Sequence, residues 1–351
     1  MHGAMCGQER VLTVLSHGEP DAIPTFEWDI DPGLIATMTG GGSYEDFVDA
    51  CDLDAVMCSP NYRETHLGDS LVRDEWGVTR RRGHEDYPMA VDELAPIKSW
   101  ADLEQWNPPD PCAPARFDTL KRRIARFKGH RSIFIRARDV FSNPRDLMGY
   151  QQFLVACIEQ PDLVDALIEK CVNQSIQVVQ IAADLGAEVA FSGDDIADNR
   201  GSLVSPRLWE RLFLPHFRRW VAAIHGCGLY YWKHTDGNIM KLIDGLVDAG
   251  IDGIDPIDPL GNMDLALIKQ RYGARVAIKG NVDCANLLVS GTEAAVEAAV
   301  KACIRTAGPG GGYACSSSNS IHSGVRPDLY RAMLRAIRIY GVYPLDLNRL
   351  E

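Results

Sequence analysis

Long apolar runs are missing from this chain of 351 residues. No stretch approaches the ~20 residues that a membrane-crossing helix requires. The first residues lack the charged-then-apolar order of a secretory signal. Cys-x-x-Cys pairs are absent as well. The ten cysteines are scattered singly, and a chain of this length is not a small disulfide-stapled fold. They read as reduced thiols with packing roles, which fits a cytoplasmic protein. Positive charge is scarce: 36 Lys and Arg against 48 Asp and Glu leave a net charge of −12. That balance argues against nucleic acid and against an anionic membrane surface as partners. Arg80-Arg81-Arg82, the one compact basic run, reads as a solvated edge. There is no internal repeat of solenoid length and no low-complexity tail.

What the chain does have is a regular alternation. Short β-rich runs at 23–28, 53–58, 132–137, 188–193, 229–234, 253–257, 275–280 and 312–316 are separated by helical patterns, such as Leu163, Leu167 and Cys171. Ser205-Pro206 and Gln160-Pro161 mark helix starts, with proline at the first helical position. Gly186, Gly228, Gly250 and Gly273 stand where C-terminal glycines belong. Pro215 should kink the helix that begins at Ser205. Eight strand–helix pairs predict an α/β fold, a single (β/α)8 barrel over residues 1–351. An open dinucleotide-binding sheet is disfavoured, because no Gly-x-Gly-x-x-Gly follows the first strand. Residues 61–129, between predicted strands two and three, are too long for a normal crossover. They hold a hairpin over 71–82, around Trp76-Gly77, and the proline-rich Asn107-Pro108-Pro109-Asp110-Pro111. Leaving the C-terminal end of a strand, this insertion should cover the barrel mouth. A pair of helices is expected over 144–185.

Barrels of this kind deliver their chemistry at the C-terminal ends of the strands. There the chain carries Glu27 and Asp29, Asp194 and Asp195, His234 and Asp236, Asp255 and Asp258, Asp283, and Cys315 with the run Ser316–Ser320. A single aspartate at such a junction is more often a helix cap. Several carboxylates and a histidine on one rim form a stronger pattern. The sharpest segment is Tyr230-Tyr231-Trp232-Lys233-His234-Thr235-Asp236-Gly237: a buried run ends in a histidine and a carboxylate two residues apart, so both point to one side. That pair suits a metal site or acid/base work. His322 is a weaker candidate of the same type. Gly308-Pro309-Gly310-Gly311-Gly312 precedes a strand, so it reads as a turn on the far face and not as a phosphate cradle.

From these residues outward the chain resembles the uroporphyrinogen decarboxylase superfamily, which also contains cobalamin-dependent methyltransferases. The resemblance runs through Glu9-Arg10-Val11-Leu12, Glu19-Pro20-Asp21-Ala22-Ile23-Pro24, Asp74-Glu75-Trp76-Gly77-Val78, His234-Thr235-Asp236-Gly237 and Gly280-Asn281-Val282-Asp283. It implies a (β/α)8 barrel. Decarboxylases of this family use an N-terminal arginine-rich motif to bind a porphyrinogen with many carboxylates. Here Glu27-Trp28-Asp29-Ile30-Asp31 follows the first strand and would repel a polyanion. The methyltransferase branch binds zinc through a His-x-Cys motif and a second cysteine near the last strand. His234 matches that histidine, Asp236 stands at the first cysteine, and Asn319 or Ser320 falls nearest the second, with Cys315 a few residues early.

The resemblance therefore implies a methyltransferase that moves a methyl group from a small methylated substrate, an aryl methyl ether or a methylamine, to cobalamin on a partner corrinoid protein. His234, Asp236 and Cys315 would hold zinc, with Asp194 or Asp195 at the leaving group. Glu27, Asp283, Asn319 and His322 would contact substrate. A carboxylate and imidazole set is harder than thiolate, which suits a Lewis acid acting on oxygen or nitrogen. A metal-independent carboxy-lyase is the alternative, and a non-catalytic corrinoid- or tetrapyrrole-binding protein a third reading. Members of the family are often dimers, so a homodimer is compatible.

Overall fold

The computed structural model describes residues 4–82 and 88–351. Seven parallel strands form one curled sheet in chain order: β1 (Ala55–Cys58), β2 (Ser132–Arg136), β3 (Val189–Gly193), β4 (Tyr230–His234), β5 (Gly253–Asp255), β6 (Ala277–Lys279) and β7 (Tyr313–Ala314). Both faces are covered, which is why these strands read as continuous apolar runs. Along each strand the side chains alternate between two cores. Phe26, Met57, Phe134, Phe191 and Trp232 fill the concave side. Cys58, Ile135, Tyr231 and Ile254 pack outward in the larger core that takes in the helices.

Eight strands were expected and, among the described residues, seven form the parallel sheet. The run at 23–28 is buried but makes no ladder: Pro24 has no N–H to donate. Its carbonyl accepts from Cys315 N at 3.0 Å, and the Thr25 carbonyl accepts from Asp54 N at 2.8 Å. One bond reaches the end of β7 and one the start of β1, so this irregular segment spans the two edges of the sheet. Phe26 still reaches the concave core, its ring 5.2 Å from that of Trp232.

Elsewhere the sequence-level signals have clear counterparts. The insertion holds a four-stranded antiparallel sheet, Glu64–Gly68, Leu71–Asp74, Thr79–Arg81 and Met89–Ala90, with its central turn at Gly77. Three helices, not two, follow β2: Ser142–Met148, Tyr150–Glu159 and Pro161–Leu185. Gly186, Gly228 and Gly250 have positive φ, whereas Gly273 stays right-handed. Pro215 acts as expected in a different form. The chain passes through a π-helical turn, Trp209–Phe213, just before the helix Leu214–Gly226. Such a turn accommodates a missing amide donor and bends the helix. In the glycine run before β7, a Cβ on Gly311 would lie 2.2 Å from the Gly18 carbonyl, so this is a tightly packed turn. Among the described residues no helix is long and apolar enough to cross a membrane.

Candidate active site

The fifth predicted strand is β4, and its inward residues are Trp232 and His234. Both turn toward Asp255 at the end of β5. Trp232 Nε1 donates to Asp255 Oδ1 at 2.8 Å, and His234 Nδ1 lies 2.9 Å from Oδ2. Lys279 Nζ, from β6, also reaches Oδ2 at 2.9 Å and donates to Ser316 Oγ at 3.1 Å. Burial works against charge on Asp255, yet Lys279 and His234 hold its pKa below the ordinary range. This carboxylate fixes the ring and keeps the proton on Nδ1, which leaves Nε2 as the working atom.

Nε2 faces Asp236 Oδ1 at 3.6 Å. Both atoms are buried and have no hydrogen-bond partner. Asp195 completes a group in which one ligand atom from each of Asp195, His234 and Asp236 lies within 4.8 Å of the others. The carboxylates are positioned locally: Asn319 Nδ2 donates to Asp236 Oδ2 at 2.7 Å, and the Asp236 amide donates to Asp195 Oδ1 at 3.1 Å. Gly237 is required next in the chain, because a Cβ there would lie 2.6 Å from the Asp198 carbonyl. Burial disfavours the imidazolium of His234, but Asp255 and Asp236 outweigh it and push the pKa up to about 10. The cluster is thus built to hold a positive charge, as a proton or as a metal ion.

Beside it lies a cavity of about 200 Å³ at the ends of β1, β2 and β3. Tyr62 and Trp76 wall it from the insertion, Phe191 from below, and Arg136 and Arg138 from one side. Gly193 also lines it and separates it from His234: a Cβ on Gly193 would stand 3.8 Å from His234 Cδ2.

Other expected site residues lie apart from this cluster. Asp194 is fully buried and faces the outer core, where it accepts from the amides of Asp139, Phe141 and Ser142 and pairs with Arg138. It caps a chain turn and has no route to a leaving group. Cys315 is out of phase with the site: Ala314 points inward, so Cys315 packs into the outer core and is not in the three-residue group. Glu27 is buried, accepting from Ser317 N at 3.2 Å and Ser317 Oγ at 2.6 Å, and does not line the cavity. Desolvation lifts its pKa to about 7. Asp283 caps the amides of Ala285 and Asn286. His322 is tied to the Cys284 carbonyl at 3.2 Å. Asn319 does reach the cluster, through Asp236 and not through the cavity lining.

Lys279, Trp28, Gly193 and the two arginines escaped the sequence reading. A lysine closing the buried run Ala277–Lys279, and arginines two apart at the end of β2 and just past it, were the available signals.

A parallel α/β scaffold with ionisable groups gathered at the C-terminal ends of its strands defines a broad class of barrel-like proteins. Comparison narrows it. The family profile described as uroporphyrinogen decarboxylase (URO-D) matches residues 87–340, and the chain belongs to that family of enzymes. Uroporphyrinogen decarboxylase from Myxococcus xanthus is 24% identical over 257 residues, covering 70% of each chain. The enzyme of the same name from Coxiella burnetii is 23% identical over 190 residues, 52% of this chain and 49% of that one. Among solved structures, a methyltransferase from Methanosarcina mazei superposes with a TM-score of 0.73 at 18% identity, over 96% of this chain and 99% of that chain. At that identity the likeness establishes a shared fold.

Proposed function

We propose that this protein is a methyltransferase that moves a methyl group from a small methylated substrate, an aryl methyl ether or a methylamine, to cobalamin on a separate corrinoid protein. The observation that carries this reading is the buried pair His234 Nε2 and Asp236 Oδ1, 3.6 Å apart and neither in a hydrogen bond, with Asp195 at hand. A buried polar atom without a partner is costly and calls for an occupant. One nitrogen and two carboxylate donors fit a zinc ion with an open position. His234, Asp236 and Asp195 would hold it; Cys315 is replaced by Asp195 in this reading. Zinc would supply Lewis acidity at the leaving oxygen or nitrogen, and the corrinoid the nucleophile that takes the methyl group.

The chain's own contribution is orientation. Asp255 aims the His234 ring, Asn319 aims Asp236, and the insertion shields the cavity with Tyr62 and Trp76. The methyl–heteroatom bond breaks, its electron pair stays on the leaving atom, and that atom then takes a proton. That proton would come from solvent, because a carboxylate holding a metal carries none. The fold shared with the Methanosarcina mazei methyltransferase and the acidic cluster, unsuited to a polycarboxylate, support the same reading.

A metal-independent carboxy-lyase is the second reading, favoured by the names of the sequence relatives and by an imidazolium at His234 that could donate a proton. The deciding experiment is metal analysis of wild type beside His234→Ala, each assayed for methylation of cob(I)alamin with a panel of methyl donors. Stoichiometric zinc and donor-dependent methylation in wild type, both lost in the variant, are expected. Carbon dioxide release without a corrinoid, at a rate indifferent to metal, would overturn it.

A further inference from the structure

We propose that the cavity beside the cluster is a subsite for a small planar organic anion, its carboxylate held at Arg136 and Arg138 and its far end passing Gly193 toward His234. The inference rests on the reading of the His234 cluster as the reacting end, and it names the substrate class of that site.

Charge provides the first argument. The chain as a whole carries −12, yet two guanidinium groups two residues apart border this one cavity. Arg138 is anchored by the Gly193 carbonyl and by Asp194 Oδ1 at 3.2 Å. Arg136 lies over the Trp28 ring at 4.9 Å, with Asp29 Oδ1 at 3.8 Å. Arginine forks held by neighbours in this way suit a carboxylate. In the metal-free protein the opposite pole, Asp195 and Asp236, disfavours an anion, so a carboxylate-bearing molecule has one favourable orientation there.

Size and shape provide the second. About 200 Å³ is below the usual range for drug-sized ligands and far too small for a tetrapyrrole. Tyr62, Trp76 and Phe191 offer flat apolar walls suited to one ring. Gly193 sets the passage. A Cβ there would stand 3.4 Å from Trp28 and 3.8 Å from His234, ordinary contacts that the fold tolerates but that fill the gap. A side chain at 193 would narrow the route from cavity to imidazole, its nearest neighbours being Trp28 and His234.

The test is calorimetric binding to the metal-free protein of benzoate, its neutral isostere benzamide, the cation benzylamine, and 4-methylbenzoate. Benzoate should bind about tenfold or more tighter than benzamide, the worth of a charge-assisted pair, with benzylamine weakest. That preference should vanish in Arg136→Gln/Arg138→Gln. In Gly193→Ala, benzoate should be retained while 4-methylbenzoate weakens about tenfold. Should the arginine variant fail to fold, sodium chloride titration of wild type decides: benzoate affinity falls with salt and benzamide affinity stays level. Equal binding of benzoate and benzamide, a preference surviving in the folded arginine variant, or a Gly193→Ala change that is the same for both anions overturns the inference. Binding here needs neither metal nor corrinoid, so failed methyl transfer with selective benzoate binding would sink the functional reading alone.

Discussion

Strand β4 presents two ionic networks back to back, and they differ in one respect. On the outward face, Lys233 Nζ meets Asp139 Oδ2 and the Asp194 carbonyl, each at 2.7 Å. Asp139 also accepts from Ser192 Oγ at 2.8 Å and Tyr231 OH at 2.9 Å. On the inward face, one residue further along, His234 keeps a nitrogen with no partner opposite a carboxylate oxygen with none. Lys233 and His234 are equally buried. Burial and charge alone therefore do not separate the two networks; what separates them is two ionisable atoms that face each other without a hydrogen bond.

The sharpest way to break this comparison is Lys233→Met. It should leave Asp139 and the Asp194 carbonyl without their cation and cost about 3–5 kcal/mol of stability, read as a fall in Tm and denaturant midpoint. The folded fraction should still bind zinc. Undiminished stability would mean that the outward network is not the structural one.

Glu27 extends the test to a buried carboxyl outside the cluster. Its pKa is raised from 4.5 to about 7, so the folded state holds a proton that the unfolded state has released across that interval. Its contribution to stability is full below about pH 4.5 and is lost as pH rises to about 7. Glu27→Gln should remove this slope and stabilise the protein at pH 8 by roughly 2–3 kcal/mol, measured as the difference between the two pH–stability curves. Parallel curves would remove Glu27 from the account.

The smallest effect is the most specific. Asn319→Ala removes one hydrogen bond to Asp236 and should weaken zinc binding about tenfold, while stability shifts by about 1 kcal/mol. Competition with a chromogenic chelator reads the first and thermal unfolding the second. A large loss of stability with unchanged zinc affinity would move Asn319 to the structural side of the divide.

Much of the scaffold was legible because parallel strands covered on both faces leave apolar runs that end abruptly, and seven of eight such runs are strands. The eighth fails at Pro24, which has no N–H to donate to a ladder. His234 and Asp236 were legible through their spacing of two. Asp194 and Cys315 stand beside strand ends without joining the cluster, because nearness to a strand end does not fix which face a side chain takes. The same period of two, counted forward from Phe191 and Ala314, turns both away from the concave side. Asp255 was noticed among the rim carboxylates, but its hold on His234 depends on the pairing of β4 with β5, where His234 stands opposite Asp255. No single-strand pattern carries that register.

The segment around Pro24 has one more consequence. It joins the first and last strands through a single main-chain link on each side, yet it delivers Trp28, whose ring centroid is 4.5 Å from that of His234. The seam that closes the scaffold is therefore also a wall of the imidazole's surroundings, so any opening of that seam would reach His234 directly.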